Sequence, residues 1–205
     1  VPFSKVISMN VGKDIALPFK RYEVGKVFRD GPVKVGRARE FYQCDVDVCG
    51  IEGSYIEAEM LAMTIACYKK LGIDVEIEVN NRKLLEGFII ATGIDEELSS
   101  QVILAVDKLA KIGKEGVERE LSSYGIPVEQ LNELFSYFNY SVSDLDGVDI
   151  DNEAFLSGKK EIKELFSYID ALNLNECKFT PYLARGLEIY TCLLYTSPSP
   201  RDISG

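Results

Sequence analysis

The sequence predicts an α+β fold: an antiparallel β-sheet flanked by helices, with a helical insertion. Apolar residues alternate with period two near the beginning of the chain, which is typical of strands, and recur at helical spacing through its middle. The length of 205 residues and the hydrophobic content of 46% suffice for a buried core. We therefore expect a small helical subdomain inserted into an antiparallel domain.

A hairpin is predicted first. Residues 21–29 and 40–49 have the composition of two strands, and residues 30–39 (DGPVKVGRAR) combine Gly, Pro and charge. The segment 54–71 then places apolar residues on one side at helical spacing, with Ser54 able to cap the helix and Gly72 able to end it. This helix is expected to pack on the sheet.

The later elements follow from the same two periods. Strict alternation predicts a strand over 74–79, and helical spacing predicts helices within 82–92, 96–137 and 159–172. An acidic loop is expected at 144–151 and a return to the sheet over 178–190. The resulting division is a core part with the hairpin (1–80), a mainly helical insertion (81–172), a return to the core (173–191) and a tail (192–205).

The tail differs in composition from the rest of the chain. It is rich in Ser and Pro without a periodic pattern, which is typical of a disordered segment. Residues 192–202 (CLLYTSPSPRD) also resemble the translation of a sequencing adapter, so we expect the native sequence to end at Thr191. Val1 is not an initiator methionine, and we expect a longer chain on that side too.

Charge and composition exclude several classes of function. With 23 basic and 33 acidic residues the net charge is -10, which argues against non-specific binding to nucleic acid. The five cysteines form no C-x-x-C pair and histidine is absent, so neither a zinc site nor histidine-based catalysis is expected. No signal peptide or membrane-length apolar run is present, which favours a cytoplasmic protein without membrane contact.

The second predicted strand carries candidate ligand-binding residues. Its alternation places Gln43, Asp45 and Asp47 on one face, where they can bind a ligand with several donors, such as an amino acid's ammonium group. A solvated outer face of the sheet would show the same pattern. The opposite face, with Tyr42 and Val46, is expected to pack.

Arginines supply the second set of candidates. The hairpin loop and its flanks contain Arg29, Lys34, Arg37 and Arg39, a basic cluster that suits the phosphates of a nucleotide but is also compatible with an ordinary charged turn. Arg185 lies in the apolar stretch LARGLEIYT, where it can pair with Glu188 or stabilise a developing phosphate charge.

Two ordered motifs resemble those of histidyl-tRNA synthetases. The first, at residues 20–50, is similar to the strand-loop-strand "motif 2" of class II synthetases, with Phe28-Arg29 followed by GRAREFYQ at 36–43. The second, RGLEIYT at 185–191, is similar to the family's histidine-specific RGLxYYTG element. The resemblance extends over residues 1–191 and implies an incomplete class II catalytic core.

The resemblance also implies roles for individual residues. ATP and histidine would be substrates, with Mg²⁺ as cofactor. Arg29 and Arg185 would contact the α-phosphate as catalytic residues, and both would also lie at the histidine site, Arg29 against the substrate carboxylate. Arg37 would reach the distal phosphates and Gln43 the α-amino group, while Asp47 and Tyr190 would hold the imidazole. Adenylate formation would proceed in line, without a protein nucleophile.

Departures and missing parts limit this expectation. Gly31 occupies a position where the family commonly has an acidic residue, and Asp47 occupies one where glutamate is also found. Ile189 replaces the first tyrosine of the YY pair, and Cys192 replaces the glycine that follows Thr191. Motif 1, motif 3 and the anticodon-binding domain are not recognisable. The parent would be a homodimer that charges tRNA(His), and the piece alone is expected to be inactive.

Two other interpretations remain open. A synthetase-like regulatory subunit of ATP phosphoribosyltransferase would share the fold without aminoacylation, although it would not need Arg29, Gln43 and Arg185 together. A non-enzymatic helical interaction module would fit the acidic charge but not the basic hairpin loop.

Overall fold

The chain divides into two compact units. The computed structural model describes residues 2–33, 38–186 and 190–196, and the units comprise residues 1–56 and 57–205. Antiparallel strand pairs occur together with helices, which confirms the predicted α+β class.

The first unit is a hairpin with one helix. Strands β1 (Phe19–Phe28) and β2 (Glu40–Cys49) pair antiparallel, as predicted, with Phe19 opposite Cys49. Helix α1 (Pro2–Asn10) lies in a stretch where the sequence shows no clear period. Tertiary contacts stabilise this short helix, because the Phe3 ring stacks on Phe19 with 6.4 Å between ring centroids.

The second unit combines a small sheet with a helical region. Its helices are α2 (Tyr55–Leu71), α3 (Arg82–Ala91), α4 (Ser99–Val106), α5 (Leu109–Ser122), α6 (Val128–Tyr137) and α7 (Glu153–Ala171). The first two residues of α2 belong to the first unit. Its strands β3 (Ile77–Asn81), β4 (Cys177–Phe179) and β5 (Leu193–Thr196) lie in the order β4-β3-β5. The β3–β5 pair is antiparallel and the β3–β4 pair is parallel.

Helices α3 and α7 form the centre of the core. Leu84, Phe88 and Phe155 are fully buried between them. Two glycines allow the close approach: a Cβ on Gly87 would lie 2.5 Å from the Phe155 Cβ, and one on Gly158 would overlap the Leu84 backbone nitrogen. The backbones of the two helices are therefore nearly in contact.

A polar network joins the N-terminus of α3 to the middle of α7. The Asn81 side chain accepts a hydrogen bond from the Lys83 backbone N–H (2.9 Å) and so caps α3, while its amide donates to Glu161 of α7 (2.6 Å). Lys83 pairs with Glu161. Burial acts to raise the pKa of Glu161, but the hydrogen bonds from Lys83 and Asn81 outweigh it and hold that pKa below its ordinary value.

Two boundaries differ from the prediction because side chains override the periodic pattern. Helix α7 begins at Glu153 instead of residue 159, since Asn152 accepts a hydrogen bond from the Phe155 backbone N–H (3.0 Å) and caps it. Of the strand expected over 178–190, the part of this segment that the structure describes shows only Cys177–Phe179. Beyond it, the chain is held by a buried asparagine side chain rather than by a strand ladder.

The tail is partly ordered, in contrast to the expected disorder. Residues Leu193–Thr196 form β5 against β3, and the Leu194 side chain is buried. Burial of an alternate side chain on a paired strand accounts for this order. Residues 197–205 lie outside the described residues. No helix in the described ranges is both long and apolar enough to cross a membrane.

Candidate functional site

The hairpin presents one polar face, which we call the carboxylate face: Arg21, Glu23, Gln43, Asp45 and Asp47. Strand alternation places these residues on the same side, and the antiparallel register sets Arg21 opposite Asp47 and Glu23 opposite Asp45. Gln43 lies opposite Gly25, where no side chain blocks it. The prediction that Gln43 and Asp47 share a face is confirmed.

Arg21 is the centre of the contacts on this face. Its Nη1 lies 2.6 Å from Glu23 Oε2, and its Nη2 lies 2.7 Å from Asp47 Oδ2. The hydrogen bond to Glu23, and after it the contact with Asp47, raise the pKa of Arg21 above its ordinary value against the opposing effect of desolvation. The Gln43 amide donates to Asp45 Oδ1 at 2.7 Å.

Helix α1 converts the face into a cleft. The Arg21 guanidinium lies 4.2 Å from the centroid of the Phe3 ring. The cleft has a volume of about 760 Å³ and is lined by Phe3, Ser4, Val6, Phe19, Arg21, Glu23, Asp45 and Asp47. Three carboxylates against one guanidinium make it net negative, which favours a ligand with a positive group.

Two buried polar atoms in the cleft have no directed hydrogen bond. They are Arg21 Nε and Asp47 Oδ2. Asp47 Oδ2 is within ion-pair distance of Arg21 Nη2, but its angles are outside hydrogen-bond geometry. A buried polar atom without a directed hydrogen bond is costly, and solvent reaches neither atom in this arrangement.

The opposite face of the hairpin does not pack as the sequence predicts. Tyr42 is 70% exposed and Val46 is 39% exposed, and Tyr22 and Val24 beside them on β1 are 80% and 62% exposed. Helix α1 packs against the polar face instead, which explains why the less exposed side of the hairpin carries the charges.

Arg29 stands at the entrance to the hairpin loop. It follows β1, its backbone N–H donates to Arg39 O (2.8 Å), and its guanidinium lies over the Phe41 ring at 4.8 Å. Among the described residues no carboxylate forms an ion pair with Arg29, so its charge is available to an anion. Arg37, predicted for the distal phosphates, lies outside the described residues.

Arg185 and Tyr190 belong to the second unit and are exposed. The Arg185 Nη2 donates to Thr196 Oγ1 at 3.1 Å, and its carbonyl accepts from Arg82 Nη1 at 3.2 Å. The partner considered from sequence, Glu188, lies outside the described residues. Because Arg185 is exposed, it does not require a partner in the way a buried arginine would.

The segment before Arg185 is fixed by Asn80. This residue is fully buried in β3, and its amide donates to the carbonyls of Pro181 (2.7 Å) and Leu183 (2.9 Å). Thr180 N–H also donates to Val79 O at 2.9 Å. The chain leading to Arg185 is therefore anchored to the end of a core strand.

The sequence reasoning missed Arg21 and Glu23. Both follow the period-two alternation of β1, and this signal places them on one face. The contact of Arg21 with Asp47 depends on the hairpin register, which a long loop leaves undefined in the sequence.

Comparison with known proteins identifies the family. A family model described as histidyl-tRNA synthetase matches residues 16–200. Histidine–tRNA ligase 1 of Bacillus thuringiensis subsp. konkukian is 45% identical over 200 residues, which are 95% of this chain and 46% of that protein. The chain thus spans about half the length of the curated relatives it matches.

Solved structures agree with this result. The crystal structure of histidyl-tRNA synthetase from Nostoc sp. PCC 7120 has a TM-score of 0.85 at 28% identity, covering 96% of this chain and 47% of that one. A Bacillus halodurans structure, titled as an ATP phosphoribosyltransferase regulatory subunit/histidyl-tRNA synthetase, has a TM-score of 0.81, covers 98% of this chain and 52% of that one, and at 16% identity shows a shared fold alone. The match over residues 16–200 establishes that this chain belongs to the histidyl-tRNA synthetase family.

Proposed function

We propose that this chain forms the histidine- and ATP-binding part of a histidine–tRNA ligase. The complete enzyme would condense histidine with ATP to histidyl-adenylate and then transfer the histidyl group to tRNA(His). The observation that carries the proposal is the net-negative cleft on the carboxylate face. Three carboxylates line a space large enough for an amino acid, and the Gln43 amide is hydrogen-bonded to one of them.

The cleft is complementary to the polar groups of histidine. Gln43 and Asp45 are joined by a hydrogen bond and together offer oxygen acceptors for the α-ammonium group. Asp47 would accept a hydrogen bond from the imidazole N–H, with Tyr190 as the second imidazole contact. Arg29, which has no carboxylate partner within the described ranges, would hold the substrate carboxylate against the α-phosphate of ATP.

The first reaction step needs positioning and charge stabilisation. A carboxylate oxygen of histidine forms a bond to the α-phosphorus, and the bond from that phosphorus to the bridging oxygen of pyrophosphate breaks. No proton is transferred in this step, so the reaction does not need a histidine side chain as general acid or base, and the chain contains none. Arg29 and Arg185 would stabilise the charge that develops on the α-phosphate, and Arg37 would bind the departing phosphates.

Mg²⁺ would be bound mainly by ATP. The described residues contain no group of three or more His, Cys, Asp or Glu side chains that could hold a metal ion. Mg²⁺ commonly keeps several waters and binds substrate phosphates with one or two carboxylates, so a dedicated protein cage is not needed. The ion would offset phosphate charge. A cytoplasmic homodimer is the assembly we propose for the complete enzyme.

The test uses a full-length enzyme in which residues 1–191 of this chain replace the matching segment of the 45% identical Bacillus thuringiensis ligase. We expect pyrophosphate exchange into ATP that depends on histidine. Arg29→Ala should lower kcat/KM about 100-fold or more, since removal of a preorganised charge contact costs on the order of 3 kcal/mol. Lys26→Ala, on the face of β1 opposite the carboxylate face, is the matched control.

A regulatory role in histidine biosynthesis is the competing function. It is supported by the shared fold of the Bacillus halodurans protein. In that case, the grafted enzyme would show no exchange although it folds, and Arg29→Ala would change nothing. Exchange with a different amino acid would contradict both functions.

A further inference from the structure

Arg21 is held at three points on the carboxylate face. Glu23 lies beside it on β1, Asp47 lies opposite it on β2, and the Phe3 ring of α1 covers its guanidinium. Its side chain is 26% exposed and that of Asp47 is 36% exposed, so water screens this pair only in part. The three contacts restrict both the guanidinium and the Asp47 carboxylate to one arrangement.

We propose that Arg21 is a positioning residue that presents Asp47 to the imidazole of histidine and makes the pocket select the neutral form of the ring. The inference rests on the proposed function, because it assigns a role within the same site. Asp47 is paired with Arg21 while its side chain remains 36% exposed, and its carboxylate is therefore the group to which an imidazole N–H would donate.

The charge argument follows from the spacing. A lone carboxylate would bind imidazolium better than imidazole, because opposite charges attract. With Arg21 Nη2 only 2.7 Å from Asp47 Oδ2, a protonated ring at the Asp47 carboxylate would also lie close to a guanidinium. Its attraction to Asp47 would be offset by repulsion from Arg21, whereas a neutral N–H donor would avoid this repulsion.

The other charged groups at the cleft leave this balance in place. Glu23 also contacts Arg21, and Asp45 is engaged by Gln43 and faces the position proposed for the ammonium group. Helix α1 contributes only uncharged side chains to the lining. The guanidinium stays protonated throughout the range in which imidazole titrates, since the pKa of Arg21 is raised.

The experiment measures the KM for histidine by pyrophosphate exchange between pH 5.5 and 8 in the grafted full-length enzyme. Free carboxylic acids are ionised over this range, and imidazole titrates near pH 6.5. With Arg21 present, KM should rise as pH falls, approaching about tenfold per pH unit below the imidazole pKa. In Arg21→Met the rise should shrink to less than about threefold, while kcat at saturating histidine changes little.

Two further variants make the outcome decisive. Arg21→Lys keeps a positive charge and should restore the pH dependence with a higher KM, and Lys26→Met, on the other face of β1, should leave the profile unchanged. If Arg21→Met does not fold, the Arg21→Lys profile decides. This inference alone is overturned if the KM of Arg21→Met rises with falling pH as steeply as that of the unsubstituted enzyme, or if the KM of Arg21→Lys does not change with pH. Absence of histidine-dependent exchange in the unsubstituted grafted enzyme overturns the proposed function.

Discussion

Gly158→Ala tests the close contact between α3 and α7. A Cβ at this position would overlap the Leu84 backbone nitrogen and lie 2.8 Å from the Leu84 Cα. Backbone atoms of Leu84 cannot move aside as the end of a flexible side chain could. The two helices must therefore separate and lose contacts around Phe88 and Phe155. Overpacking of a core costs about 1–3 kcal/mol, and the upper end applies here. Alanine in a helix interior is more favourable than glycine by about 1 kcal/mol, which offsets part of this cost. The net loss should be about 2 kcal/mol.

The assay is urea unfolding of the chain, followed by circular dichroism at a helical wavelength. Gly147→Ala is the matched control, because its Cβ would meet no atom within 4 Å and its φ is not in the left-handed region. That variant should change the free energy of unfolding by less than about 0.5 kcal/mol. A Gly158→Ala chain as stable as the wild type would show that α3 and α7 are not in near-backbone contact.

Two further predictions concern polar contacts of the second unit. Glu161→Gln should lower the free energy of unfolding by about 1 kcal/mol near neutral pH, because its pair with Lys83 is lost. Since the folded pKa of Glu161 is lowered, the stability it contributes is present above the ordinary carboxyl value of 4.5 and is lost as pH falls through the folded pKa. The difference between Glu161→Gln and wild type should therefore disappear in acid, and a constant difference would contradict this assignment. Asn80→Ala leaves the carbonyls of Pro181 and Leu183 without their donor and should cost about 2–4 kcal/mol. It should also speed amide hydrogen exchange at Leu183, and unchanged exchange there would argue against the anchor.

The sequence predicts the first unit well where a local period is sufficient. The alternation of β2 places Gln43 and Asp47 on one face, as observed. It does not predict that Arg21 contacts Asp47, because the register across a long loop depends on tertiary packing. For the same reason the apolar alternation at Tyr42 predicts a packed face, whereas α1 covers the other side.

The second unit shows what a periodic pattern alone misses. The predicted strand 74–79 appears as Ile77–Asn81, since two asparagines that look like the end of a strand are buried there and hydrogen-bonded. A lone arginine in an apolar stretch does not reveal that Arg185 is exposed and bound to Thr196. Both results depend on partners distant in sequence, which a window of neighbouring residues does not contain.

The two asparagines at the end of β3 also link distant parts of the chain. Asn81 contacts α7 across a separation of 80 residues, and Asn80 contacts the segment before Arg185 across separations of 101 and 103 residues. Adjacent side chains on a strand point to opposite sides, so this dipeptide is a junction between the helical region and the Arg185 segment. A substitution deep in α7 can thus disturb the setting of a proposed phosphate-binding arginine without touching any substrate.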